Sequence, residues 1–139
     1  MRRLQAFVFA VAALALGALP AVGLGARGGV EAGEGVNLNV LVTEMAVAHP
    51  ASVAAGKVTF VARNKGAVEH ELVVVRGTAK LPVKNFKADE NGRDLGEIED
   101  IEPGKTKRLT LTLVAGKYLL LCNIVGHYQL GMRSVLTVR

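Results

Sequence analysis

Cysteine is almost missing from this sequence, since Cys122 is the only one among 139 residues. A single cysteine excludes an internal disulfide and leaves a buried thiol, an intermolecular bridge or a metal ligand as its role. A sustained helical period is missing after residue 26, which argues against a helical fold. A large excess of positive or negative residues is also missing. The formal net charge is +5 and includes Arg2 and Arg3, so the balance does not suggest a nucleic-acid-binding protein.

Residues 1–26 have the order of an export signal. Arg2 and Arg3 precede an apolar run over residues 6–19, and small residues follow. Ala21-Val22-Gly23 offers a cleavage site, and cleavage at the end of the segment is an alternative. A segment that is not cleaved would act as a membrane anchor, although its length is marginal for a span. We therefore expect a periplasmic or extracellular protein, with a membrane tether if the signal is retained, and both Sec and twin-arginine export stay open.

The rest of the chain divides into a glycine-rich tether, residues 27–35, and one domain, residues 36–139. Residues 36–40 and 108–113 alternate with the period of two expected of half-buried strands. Further strands are predicted at residues 58–63, 71–75, 118–122 and 134–138. About seven or eight short strands separated by turn signals predict an all-β fold, an antiparallel Greek-key β-sandwich in a single domain.

Residues 80–105 differ from the rest of the domain because they are charged and contain few apolar side chains. Pro82, Asn91-Gly92 and Pro103-Gly104 add turn signals. We therefore expect a long, partly ordered connection with one short helical turn or edge strand.

Residues 122–132 concentrate the chemistry of the chain, reading Cys-Asn-Ile-Val-Gly-His-Tyr-Gln-Leu-Gly-Met. Cys122, His127 and Met132 offer a thiolate, an imidazole and a thioether, and His70 is available as a second imidazole. Thiolate with imidazole selects a borderline or soft transition metal, and a weak axial thioether favours copper in an electron-transfer site. Each residue alone is better explained as core or surface filling. Their co-occurrence in this order predicts one mononuclear copper.

The chain resembles the small blue (type 1) copper proteins of the plastocyanin/azurin (cupredoxin) family. The resemblance rests on residues 55–60, on Asn64-x-Gly66, on His70 and on the C-x4-H-x4-M loop, which is of the auracyanin, sulfocyanin and rusticyanin kind. It implies that one copper ion, cycling between Cu(I) and Cu(II), is held by His70, Cys122 and His127 as equatorial ligands and by Met132 as the axial ligand.

Two positions depart from the family pattern. Val125 stands where the family loop often has proline before its Gly-His pair, which removes a fixed φ from the loop. Glu71 follows His70, where the family often has an asparagine that links the two ligand-bearing segments. We predict that Asn123, with Glu71 as a second candidate, supplies that linkage, orients the ligands and tunes the reduction potential.

The resemblance also implies a function and its partners. In the family, the histidine of the cysteine loop reaches the surface within an apolar patch, and here Val125, Tyr128 and Leu130 either form that patch or pack within the loop. The expected function is to carry single electrons by outer-sphere transfer between larger redox proteins, such as membrane-bound complexes or cytochromes. We expect a monomer that is not an enzyme, because the protein fills every copper position.

Two other classes of function use the same metal. An exported copper chaperone or copper-resistance protein would transfer the ion itself and would need an exposed site rich in methionine or histidine. Only three methionines occur, and one of them is Met1 in the signal, which argues against that class. A small copper enzyme would need a further histidine cluster for an open copper, and a binuclear centre would need two bridging cysteines.

Overall fold

The structure, a computed structural model, describes residues 34–139, so the expected export signal and most of the tether lie outside the described residues. Within this range no helix is long and apolar enough to cross a membrane. The regular elements of the same range are strands: β1 (Val36–Thr43), β2 (Ala46–Ala48), β3 (Ser52–Val53), β4 (Gly56–Asn64), β5 (His70–Arg76), β6 (Val83–Lys84), β7 (Lys87–Ala88), β8 (Asp94–Ile101), β9 (Thr106–Leu113), β10 (Gly116–Leu121) and β11 (Arg133–Val138).

The longer strands form two sheets that pack as a sandwich. The first sheet has the order β2-β1-β4-β9 and the second has the order β3-β11-β10-β5-β8. The predicted β-sandwich is confirmed, but the expectation of antiparallel pairing throughout is wrong at two places, because β1 pairs with β4 and β11 pairs with β3 in parallel. The chain leaves the first sheet near Pro50, where proline removes a ladder donor, and contributes β3 to the second sheet. It then returns as β4, which runs in the same direction as β1.

The main core lies between the inner faces of the two sheets. Alternate side chains of β1 and β4 point inward, as the period-two pattern of β1 predicts. They meet apolar side chains from β5, β10 and β11 in one buried cluster. The apolar side chains that β1 and β4 bury in this cluster are Leu38, Val40, Val42, Val58, Phe60 and Ala62.

A second, smaller core lies on the outer face of the second sheet. The consecutive apolar residues of β5 and β10 are buried on both faces, so Val73 and Leu121 contact side chains outside the sandwich. Leu81 and Ala88 supply part of this cover. Of the alternatives expected for residues 80–105, the edge strand is confirmed as β8, although its eight residues make it longer than expected, and the β6–β7 hairpin was not predicted.

Asn64 fixes the path of the chain into β5. Its side chain is fully buried, and its Nδ2 donates hydrogen bonds to the carbonyl oxygens of Val68 and Ile101, each at 2.7 Å. Its Oδ1 accepts the Gly66 N–H at 2.8 Å. One side chain thus joins the end of β4, the turn before His70 and the end of β8, and this junction sets where β5 begins.

Replacing Asn64 by alanine should destabilise the domain. The substitution removes three hydrogen bonds and leaves their backbone partners unsatisfied, so we expect the free energy of unfolding to fall by about 2–4 kcal/mol. Denaturant unfolding of the copper-free protein measures this change. Asn37→Ala is the control, because Asn37 is exposed on β1, and an equal loss in both variants would contradict the role of Asn64.

Candidate metal centre

The pairing of β5 with β10 brings two of the predicted ligands to one edge of the second sheet. These strands are antiparallel neighbours, so the end of β10 lies beside the beginning of β5. His70 is the first residue of β5, and Cys122 directly follows β10. Residues that are far apart in the sequence thus reach the same place through an ordinary strand pair.

The side chains of His70, Cys122 and His127 converge. The Cys122 Sγ lies 3.3 Å from the His127 Nδ1 and 4.0 Å from the His70 Nδ1. One donor atom from each residue lies within 4.8 Å of the other two. The two imidazole centroids are 5.2 Å apart, with the rings tilted at 59°. His70 and Cys122 are fully buried, whereas His127 keeps part of its surface exposed.

Met132 closes the loop that carries Cys122 and His127. Its carbonyl oxygen accepts the Cys122 N–H at 3.1 Å, and its own N–H donates to the His127 carbonyl oxygen at 3.1 Å. The side chain of Met132 is fully buried. Gly126 and Gly131 have φ values of 85° and 100°, a region that favours glycine and that this tight loop requires.

The site disfavours charge on its own side chains. Burial raises the pKa of the Cys122 thiol, although the backbone N–H groups of Glu71 and Ile124 act in the opposite direction. Burial also lowers the pKa of His70, and the neighbouring His127 adds to this effect. An ionised Cys122 therefore needs a cation bound between its sulfur and the two imidazole nitrogens. The converging sulfur and nitrogen atoms fit one transition-metal ion, and this donor set suits copper.

Comparison with known proteins agrees with this chemistry. Residues 36–139 match the family described as copper binding proteins, plastocyanin/azurin family. The chain belongs to the plastocyanin/azurin family. The predicted resemblance and the copper cofactor are thereby confirmed: His70, Cys122 and His127, together with Met132, are placed to bind one copper, as in a type 1 site. Members of this family are electron-transfer proteins. Comparison with curated protein sequences gives no match.

Solved structures of cupredoxins share the fold. An auracyanin from Roseiflexus castenholzii is 22% identical, with a TM-score of 0.60, over 77% of this chain and 99% of its own. Auracyanin A, the "blue" copper protein of Chloroflexus aurantiacus, is 25% identical, with a TM-score of 0.59, over 76% and 100%. Rusticyanin from Thiobacillus ferrooxidans is 18% identical, with a TM-score of 0.58, over 77% and 79%. Auracyanins and rusticyanin are two of the kinds that the loop spacing indicated.

The side chain of Asn123 bonds to the β7 segment rather than to the segment that begins with His70, whereas its backbone N–H lies beside the Glu71 carboxyl. Its Oδ1 accepts the Ala88 N–H at 2.6 Å, and its Nδ2 donates to the Ala88 carbonyl oxygen at 3.1 Å and to the Glu90 Oε1 at 2.5 Å. The side chain therefore ties the ligand loop to β7 and the outer cover. A hairpin that the sequence pattern missed thus occupies the side-chain hydrogen-bonding groups of Asn123, and its role in orienting the ligands stays a prediction.

Glu71 is the residue that joins the two ligand-bearing segments. Its backbone N–H lies 3.4 Å from the Cys122 Sγ and donates to it. Burial raises the pKa of the Glu71 carboxyl, while Lys87 and the Asn123 backbone N–H act against that rise. The backbone of Glu71 thus contacts the Cys122 sulfur, and the backbone N–H of Asn123 contacts the Glu71 carboxyl. An effect of either residue on the reduction potential stays a prediction.

The exposed surface beside His127 lacks Tyr128, which was a candidate for the expected patch, and includes Phe86, which was not. Tyr128 is fully buried in the second core, and its hydroxyl oxygen accepts the Leu81 N–H at 2.9 Å, so of its two expected roles the structure supports packing and not the exposed patch. Val125 and Leu130 are exposed. Phe86, in the β6–β7 turn, is 66% exposed, and its carbonyl oxygen accepts a loop N–H at 2.8 Å. We call Val125, Leu130 and Phe86 the loop surface.

Replacing Asn123 by alanine should loosen the ligand loop. The two backbone groups of Ala88 lose their partner, so we expect the free energy of unfolding to fall by about 1–3 kcal/mol. Copper should also pass more quickly to a competing chelator. Gln129→Ala is the control, because Gln129 is an exposed amide in the same loop. Wild-type stability and copper retention in the Asn123 variant would contradict this role.

Proposed function

We propose that this protein carries single electrons by outer-sphere transfer between larger redox proteins in the periplasm or outside the cell. The observation that carries the proposal is the convergence of His70, Cys122 and His127 within 4.8 Å, with Met132 buried beside them. When bound, copper would supply a one-electron couple. The chain itself supplies the complete donor set, so no position is reserved for a substrate and we propose no enzymatic activity.

The protein's contribution is to hold the donors still. His70 is fixed by the start of β5, Cys122 by the end of β10, and the loop by backbone hydrogen bonds around Met132. Asn123 holds the same loop from the outside. Ligands that are fixed in this way rearrange little when the oxidation state changes, which lowers the barrier to electron transfer.

Electrons enter and leave through His127 in this proposal. It is the only one of the three converging donors that keeps some exposure within the described part of the chain. The loop surface offers three uncharged side chains for a partner to cover, and contact there would bring a partner's cofactor close to the imidazole. The partners are membrane-bound complexes or cytochromes, and the carrier is a monomer, tethered to the membrane if residues 1–26 are retained.

Adding Cu(II) to the purified protein tests the function directly. We expect one copper per chain, an intense thiolate-to-copper absorption band, reversible one-electron voltammetry and a higher unfolding temperature. Cys122→Ser should lose the band. A pale complex that readily gives up Cu(I) to a modest chelator would instead indicate the alternative, a copper chaperone or copper-resistance protein.

Placing a charge on the loop surface should slow electron transfer without changing the site. Leu130 is 68% exposed, so Leu130→Lys should fold normally and keep its reduction potential. Electron self-exchange brings two copies together, and two like charges at the contact should slow it by about tenfold or more. NMR line broadening in mixed-valence samples measures this rate.

Val114→Lys is the matched control for the loop surface. Val114 is 53% exposed in the turn between β9 and β10, so the substitution adds the same charge outside the loop surface. Equal slowing in the two lysine variants would reject electron transfer through this surface.

A further inference from the structure

One nitrogen of His70 lacks an acceptor. The His70 ring is fully buried, and its Nδ1 faces the Cys122 sulfur. A ring that uses Nδ1 for a metal carries its proton on Nε2. Among the residues that the structure describes, His70 Nε2 has no hydrogen-bond partner. A buried N–H without an acceptor is unfavourable, so this atom indicates that a nearby group completes the site.

Glu44 is the anionic residue that faces this nitrogen. Its Oε1 lies 4.0 Å from the His70 Nε2, and its side chain is 48% exposed. Glu44 belongs to the turn between β1 and β2, in the sheet opposite the one that carries His70. A carboxylate from the first sheet therefore reaches the ligand of the second sheet across one end of the sandwich.

The turn before His70 fixes this carboxylate. Glu44 Oε1 accepts the backbone N–H of Ala67 and, at 3.2 Å, that of Val68. The backbone N–H groups of Ala67, Glu44 and Val68 hold the pKa of the Glu44 carboxyl below its usual value. Gly66 leaves the space that the carboxylate occupies, because a Cβ at Gly66 would overlap it. The anion is thus anchored to the same backbone that leads into β5.

We propose that Glu44 is a positioning residue for the copper site: its carboxylate accepts the Nε2–H of His70 and sets the orientation and basicity of that imidazole. The inference rests on the proposed copper site. Closing the gap from 4.0 Å to a hydrogen bond of about 2.8 Å needs a shift of roughly 1 Å. The half-exposed carboxylate of Glu44 makes this shift by turning about its hydrogen bonds to the Ala67 and Val68 N–H groups. Carboxylates that orient metal-bound histidines in this way raise their strength as ligands.

A negative charge on the far side of a ligand favours the more highly charged ion. Glu44 therefore stabilises Cu(II) more than Cu(I) and lowers the reduction potential. Glutamine at this position keeps an oxygen for the Ala67 and Val68 N–H groups but loses the charge. Glu44→Gln thus separates an electrostatic action on His70 from a structural clamp on the turn, whereas Glu44→Ala removes both.

The test compares wild type, Glu44→Gln and Glu44→Ala. For Glu44→Gln we expect about tenfold weaker Cu(II) binding in chelator competition, a more positive potential and an unchanged unfolding midpoint of the copper-free protein. For Glu44→Ala we expect the same potential shift together with a lower midpoint. Glu69→Gln removes an equal charge from an exposed position beside His70 and serves as the control.

Two outcomes would overturn the proposal for Glu44. One is a Glu44→Gln variant that binds Cu(II) as tightly as wild type. The other is a potential shift no larger than that of Glu69→Gln. Failure of the copper function itself is distinguishable, because the wild-type protein would then show neither the intense absorption band nor a reversible couple, whatever residue 44 is.

Discussion

The antiparallel pairing of β5 with β10 is the constraint on which the metal centre depends. It places His70 and Cys122 at one edge of the second sheet, although 52 positions separate them in the sequence. The same pairing buries the thiol in the core of the sandwich, where burial raises its pKa. The fold thus presents a sulfur that ionises readily only beside a cation, with two imidazole nitrogens near it.

The second core stabilises this arrangement from the other side. β5 begins at the site and β10 ends there, and both strands are covered by apolar side chains on both faces of their sheet. Tyr128 takes part in that cover while belonging to the ligand loop, and Asn123 binds the loop to β7. The loop is therefore packed against protein on its inner and outer sides, which is the mechanical requirement for ligands that must not move during electron transfer.

The sequence pattern predicts the ligand residues and the sandwich because both depend on local signals. The order Cys122, His127 and Met132 in one loop indicates a metal site, and the alternation of apolar and polar residues in β1 indicates a half-buried strand. What the pattern missed depends on contacts between distant segments. The hairpin at residues 83–88 buries only Ala88 among its apolar side chains, yet Ala88 and the preceding Leu81 form part of the cover on the apolar outer face of the second sheet. The unbroken apolar run of β5 was the available signal for that cover.

The two imidazoles have different surroundings, and this asymmetry divides their roles. His70 is buried and faces the Glu44 carboxylate, whereas His127 is partly exposed beside uncharged side chains. In the proposal for Glu44, charge near the buried ligand changes the relative stability of the two oxidation states without placing an anion on the loop surface. The surface proposed for contact with a partner therefore stays apolar, and its desolvation cost stays low. Under the proposed function, a reduction potential set at one histidine and a contact made at the other can change independently, so we expect substitutions at Glu44 and Leu130 to affect different steps of electron transfer.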